Sequence, residues 1–131
     1  MRRPDKGITT DCAHSTKNGS TRYRGVDLCT GEQLFFEEIG NQTVNIGEFL
    51  GVVAGIKFII ENDYSPRIIY TDSATAISWL RNKKTASKKK NSALQKAEVF
   101  LRSMACEVDT IEVCHWDNDL WGEIPADFGL K

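Results

Sequence analysis

Thr43–Ile60, TVNIGEFLGVVAGIKFII, is the longest apolar run of the chain, and Glu48 is its only acid. Ile46, Phe49, Leu50, Val53 and Ile60 recur at helical spacing. A second stripe, Glu48, Val52, Gly55 and Ile59, is small or apolar after its first member. A helix that is apolar on more than one side is deeply buried, and here a sheet is the expected cover. Glu48 then stands at the N-terminal end of a core-facing stripe, where a carboxylate is costly unless something satisfies it. Asn45-x-x-Glu48 also fits a capping box, with Asn45 starting the helix. Gly47 and Gly51 flank Glu48; within a helix each costs about 1 kcal/mol relative to Ala. Close approach of a neighbouring backbone is the expected reason for them.

The segments around this helix read mostly as strands. Lys6–Ala13 is a weakly alternating run carrying Asp11. Lys17-Asn18-Gly19-Ser20 holds an Asn-Gly pair, a strong hairpin signal, and leads into Thr21–Leu28. Thr30-Gly31 turns the chain into Gln33–Ile39, so three antiparallel strands form a meander. Pro66 prevents the buried helix from continuing, and Arg67–Thr71 is a short, buried strand. Asp72-Ser73 stops that strand and caps a helix running through Trp79–Asn82. Ser92–Met104 is an amphipathic helix, and Thr110–Trp116 is the last strand. Leu120–Lys131 has room for about two helical turns. The order β-β-β-α-β-α-α-β-α implies a mixed sheet with helices on its faces.

At 131 residues the chain is read as one domain, 1–131, with residues 1–5 as a flexible extension. Lys57 and Glu61 interrupt the only run that approaches a membrane span, so no membrane association is expected. MRRPDKGITTD lacks the apolar core of a secretory signal. Cys12, Cys29, Cys106 and Cys114 show no CxxC spacing and are read as reduced and mostly buried, in a cytoplasmic protein. The net charge of −1 hides a segregation: Arg81, Lys83, Lys84, Lys88, Lys89 and Lys90 share one window without an acid. Outside it, 11 basic residues face 18 acidic ones. Such a chain can hold a polyanion on one segment and cations at an acidic centre.

Four acids occupy committed places: Asp11 in the first strand, Glu48 in the buried helix, Asp72 at a strand exit and Asp127 near the end. Taken singly, each has an ordinary explanation: a solvent-facing strand residue, a capping-box acid, an N-cap and a surface residue. Taken together they can converge, because ligand sites in open sheets form outside the carboxyl ends of strands. Carboxylates at close range repel, and divalent cations remove that repulsion. Mg²⁺ prefers such hard oxygen ligands with waters left over. Two such ions about 4 Å apart clamp the attacking and leaving oxygens of an in-line phosphoryl transfer.

ITTDCAHSTKNG, TVNIGEFLGVVAGI, IIYTDSATAISWL and WGEIPADFG, in this order, resemble the four acidic motifs of the type 1 ribonuclease H family. The likeness is to a bacterial branch and runs from about Lys6 to the last residue. It implies an α/β fold with a five-stranded mixed sheet, order 3-2-1-4-5, and helices on both faces. It implies a Mg²⁺- or Mn²⁺-dependent endoribonuclease that uses two ions to cut the RNA strand of RNA–DNA hybrids, leaving 5′-phosphate and 3′-hydroxyl ends. Carried over by motif, Asp11, Glu48, Asp72 and Asp127 are the catalytic metal ligands, and Asn18 and Asn45 touch the hybrid. Lys83, Lys84, Lys88 and Lys89 of the basic window are the expected phosphate contacts. No obligate protein partner is implied. Alternatives are a related nuclease with another nucleic-acid preference, or a non-catalytic module that binds hybrid or double-stranded RNA. The chain departs from the family in the loop Asp117–Trp121, which has no His. His115 lies earlier and reads as a half-buried strand residue. Trp79 reads as core, and Trp121 as an anchor for the segment that carries Asp127.

Overall fold

The computed structural model describes residues 2–83 and 91–129. Its strands are β1 Ile8–Ser15, β2 Ser20–Asp27, β3 Gln33–Glu38, β4 Ile68–Thr71 and β5 Glu112–His115. Its helices are α1 Val44–Asn62, α2 Ala74–Asn82, α3 Ser92–Ser103, α4 Ala105–Val108 and α5 Asn118–Trp121. The sheet order is β3-β2-β1-β4-β5, the 3-2-1-4-5 arrangement the resemblance implies. β1, β2 and β3 pair antiparallel, whereas β4 runs parallel to both β1 and β5. The Asn-Gly hairpin forms as expected: Ser15 opposes Ser20, and Gly19 takes a φ of +61° that its missing side chain permits. Among the described residues no helix is long and apolar enough to cross a membrane.

The apolar run folds as α1 and lies flat on the sheet. Gly47, Gly51 and Gly55, four residues apart, make the contact face. A Cβ at Gly47 would stand 2.2 Å from Cys12 Sγ, one at Gly51 3.2 Å from Tyr23 Cβ, and one at Gly55 3.0 Å from Ile69 Cδ1. The neighbours that need this room are therefore side chains of β1, β2 and β4, not the backbone expected from sequence. The other sides of α1 are covered as well. Phe49 meets Trp79 of α2 edge to face with ring centroids 5.7 Å apart, and Ile46, Val52, Ile56 and Ile59 are fully buried. Trp79 is thus a core residue, as its spacing predicts.

Gly47→Ala gains helix propensity, but the added methyl overlaps the buried Cys12 thiol. The balance is expected to destabilise the fold by about 1–3 kcal/mol, the usual cost of overpacking. Urea unfolding checks this; a variant as stable as wild type would mean that β1 can move aside.

Three local expectations change. The α1 cap is Thr43, whose side chain accepts from Ile46 N at 3.2 Å; Asn45 lies inside the first turn, so no capping box with Glu48 forms. The α2 cap is Ser73, accepting from Ala76 N at 3.0 Å, which leaves Asp72 without capping duty. Of the four cysteines, all free, only Cys12 is buried, while Cys29 and Cys106 are exposed. Short helices and turns leave thiols at the surface where a strand core would have covered them.

Candidate metal and nucleic-acid site

The site grows from a gap in the sheet. The parallel β1–β4 ladder pairs Ile8 with Ile69 and Thr9 with Tyr70 and goes no further, so the two strands part beyond Thr9. Asp11 follows on β1, buried to 4% exposure, and Asp72 follows the last residue of β4. The glycine face of α1 brings Glu48 down at this point. Its Oε1 accepts from the Cys12 N–H at 3.1 Å, a backbone donor on β1 beyond the β4 ladder. One ligand oxygen each from Asp11, Glu48 and Asp72 lies within 4.8 Å of the others. This is the crevice outside the carboxyl ends of diverging parallel strands, where open α/β sheets bind ligands.

The electrostatics are unfavourable without a cation. Burial first, then the Asp11 charge and hydrogen bond, then the Asp72 charge, push the Glu48 carboxyl up to about 9; the Cys12 N–H acts in the opposite direction. Among the described residues no N–H or hydroxyl donor reaches the buried Glu48 Oε2; the Asp11 carboxyl can meet it only by sharing a proton, which a cation would replace. Hard oxygen donors, crowded negative charge and an orphaned lone pair together fit a divalent cation of the Mg²⁺ or Mn²⁺ type.

Asp127 is not in this group. Its Oδ2 accepts from Gly129 N at 2.9 Å in a local turn, and its segment is not helical. What holds the segment is a residue that sequence reasoning passed over. Arg24 stands opposite Asp11 in the β1–β2 register. Its guanidinium donates to the carbonyl oxygens of Ala126, at 2.8 Å, and Asp127, and stacks 5.0 Å from the Phe128 ring centroid. Arg22 lies over the same ring at 5.2 Å. Trp121, the anchor expected from sequence, packs on Trp116 instead, with centroids 5.1 Å apart. No periodicity could have found Arg24, because strand pairing 102 residues away from its acceptor decides its role.

Arg24→Met keeps the length of the side chain and loses both hydrogen bonds. It is expected to release residues 126–129, at a cost of about 2 kcal/mol for two charge-assisted bonds at a half-buried site. Amide exchange at Gly129 should then quicken about thirtyfold. Unchanged exchange would show that Phe128 packing holds the segment alone.

The remaining candidates divide. Asn18 is exposed in the β1–β2 turn, and Asn45 is exposed one turn before Glu48. Lys83 ends α2 in the left-handed region and pairs with Asp109 at 3.3 Å, an exposed contact that is easily broken. Lys84, Lys88 and Lys89 lie outside the described residues. His115 is exposed rather than half buried, because β5 is an edge strand; it opposes Thr71, the residue before Asp72. With Ala74, Ile77, Ser78, Arg81 and Asn82 it lines a cavity of about 330 Å³. A second residue not foreseen, Asn118, donates from Nδ2 to Asp72 Oδ2 at 3.1 Å.

Residues 11–116 match a family described as reverse transcriptase-like. Among solved structures, the fold is similar to LC11-RNase H1, isolated from compost, at TM-score 0.59 and 15% identity, covering 86% of this chain and 84% of that one. The same enzyme in complex with an RNA/DNA hybrid aligns at TM-score 0.57 and 16% identity, covering 86% of each chain. The N-terminal RNase H domain of a Mycobacterium tuberculosis protein aligns at TM-score 0.52 and 18% identity, covering 86% of this chain and 81% of that one.

Proposed function

The chain belongs to the reverse transcriptase-like family, and on that premise we propose that it is a ribonuclease H: a Mg²⁺- or Mn²⁺-dependent endonuclease that hydrolyses the RNA strand of RNA–DNA hybrids. One observation carries the reading. Asp11, Glu48 and Asp72 converge in the crevice between β1 and β4, with a buried Glu48 oxygen that no N–H or hydroxyl among the described residues satisfies. Burying a carboxylate unpaired is costly, and a bound cation would offset that cost.

In this reading Asp11, Glu48 and Asp72 would hold two divalent cations, and Asp127 would complete the set from the segment held by Arg24, the cross-strand partner of Asp11. When bound, the cations supply an activated water and stabilise charge on the leaving oxygen, giving 5′-phosphate and 3′-hydroxyl products. The protein's part is positioning. The backbone of β1 fixes Asp11 and, through the Cys12 N–H, Glu48. The Ser73 cap fixes the chain just after Asp72. Asn18 in the β1–β2 turn, Asn45 one turn before Glu48, and Arg81 and His115 of the α2 cavity would offer groups suited to sugar hydroxyls and phosphates. The LC11-RNase H1 complex with an RNA/DNA hybrid supports the choice of substrate.

End-labelled RNA–DNA hybrid, RNA duplex, DNA duplex and single-stranded RNA, each incubated with Mg²⁺, Mn²⁺ or EDTA, test the proposal. Cutting of the RNA strand of the hybrid alone, abolished by EDTA, is the expected result. Equal cutting of duplex RNA would indicate a nuclease of broader preference. Tight hybrid binding with no product under any metal would reduce the protein to a binding module.

A further inference from the structure

The geometry points to Asn118 as a positioning residue that holds the Asp72 carboxylate in its metal-binding orientation, presented by an aromatic clamp built onto the end of β5. The inference rests on the metal-dependent reading above.

Asp72 leaves β4 with its backbone constrained: Ser73 N donates to Thr71 Oγ1 at 3.2 Å, and Ser73 then caps α2. Its carboxylate, however, can still rotate, and a neighbouring acid would drive it away from the cluster. Asn118 ties one oxygen through its amide at 3.1 Å. The donor is the amide nitrogen, since an ionised carboxylate offers only acceptors. The choice of residue is informative. An amide gives this bond without charge, whereas a lysine would compete with a cation and an aspartate would add repulsion. Asn118 is nonetheless flanked by Asp117 and Asp119, both of which turn to other tasks or to solvent. Asp117 Oδ1 accepts from Asp119 N and Leu120 N, both at 3.0 Å, and so starts α5.

A four-residue helix has no stability of its own, so something must hold it. Trp116 does so. It is fully buried, its N–H donates to Thr71 O at 2.8 Å, and its indole N–H donates to Gly122 O at 2.9 Å. Its ring lies edge to face against Tyr70 of β4 at 5.9 Å and against Trp121 at 5.1 Å. The clamp therefore grips the C-terminal end of α5 and the strand that delivers Asp72. Asn118 and Asp72, 46 residues apart, are set in fixed relation by one tryptophan.

Mn²⁺ binding without substrate, followed by electron paramagnetic resonance, separates this role from a merely structural one. The variants are Asn118→Ala, Asp72→Asn and, as a control on the same helix, Leu120→Ser, whose residue is 62% exposed. Asn118→Ala is expected to weaken Mn²⁺ binding by about 10- to 100-fold, the range for partners that orient metal ligands. Its unfolding midpoint in EDTA should match wild type, and on hybrid kcat should fall with KM unchanged. Leu120→Ser should bind and turn over as wild type does. Unchanged Mn²⁺ affinity in Asn118→Ala, or a loss matched by a lower unfolding midpoint or by Leu120→Ser, overturns the inference while the metal site stands. A wild-type isotherm that Asp72→Asn leaves unaltered would instead overturn the metal site, and the role of Asn118 with it.

Discussion

Asp72→Asn is expected to lower turnover on an RNA–DNA hybrid by about a thousandfold or more, the scale of several kcal/mol of lost charge stabilisation. Hybrid affinity should stay within a few-fold of wild type, because phosphate contacts rather than the acids carry it. The substitution is nearly isosteric, so the β4–α2 junction, held by Ser73 and Thr71, has no reason to move. What changes is the charge at the meeting point of Asp11, Glu48 and Asp72. Single-turnover cleavage beside filter binding measures the two effects separately. Activity within tenfold of wild type would remove Asp72 from the reaction and, with it, the proposed role of the crevice.

The second large effect concerns stability. In the metal-free protein Glu48 holds a proton up to about pH 9, against an ordinary carboxyl value of 4.5. The unfolded chain releases that proton at the ordinary value. The Glu48 contribution is therefore full below about pH 4.5 and is lost as pH rises through 9. Wild type in EDTA should lose stability over this window by a few kcal/mol, since each tenfold difference in proton affinity between the folded and unfolded chain corresponds to about 1.4 kcal/mol. Glu48→Gln stays neutral and can still accept from Cys12 N–H, so its profile should be flatter and it should exceed wild type at pH 8–9. Added Mn²⁺ should restore wild type and leave the variant unmoved. Urea unfolding at pH 5, 7 and 9 decides this; parallel profiles for the two proteins would mean that Glu48 is ionised and satisfied without metal.

These two effects were unequally legible in the chain itself. That Glu48 sits where an acid is expensive follows from the stripe of apolar and small residues after it. The helical period holds whatever the helix packs against. The strands that carry Asp11 and deliver Asp72 were legible for the same local reason, and so was the Asn-Gly turn. Caps were not. Asn45 and Asp72 both satisfy the preference for a short polar side chain at a helix start, yet Thr43 and Ser73 take the roles. The preference tolerates a shift of one or two residues, and only the path of the entering chain settles it. His115 was misjudged because exposure at β5 depends on that strand lying at the edge of the sheet.

Local sequence, then, determined every element but the short α4, and it marked Asp11 within a strand, Glu48 near a helix start and Asp72 at a strand exit, because turn chemistry and hydrophobic period act over a few residues. Tertiary structure alone decided which groups meet. Strand register put Arg24 opposite Asp11 and so tied down the segment of Asp127. The parting of β1 from β4 opened the gap that Glu48 fills, and Trp116 carried Asn118 to Asp72. Such contacts join residues tens of positions apart. No short-range pattern encodes them, and they exist only once the sheet has assembled.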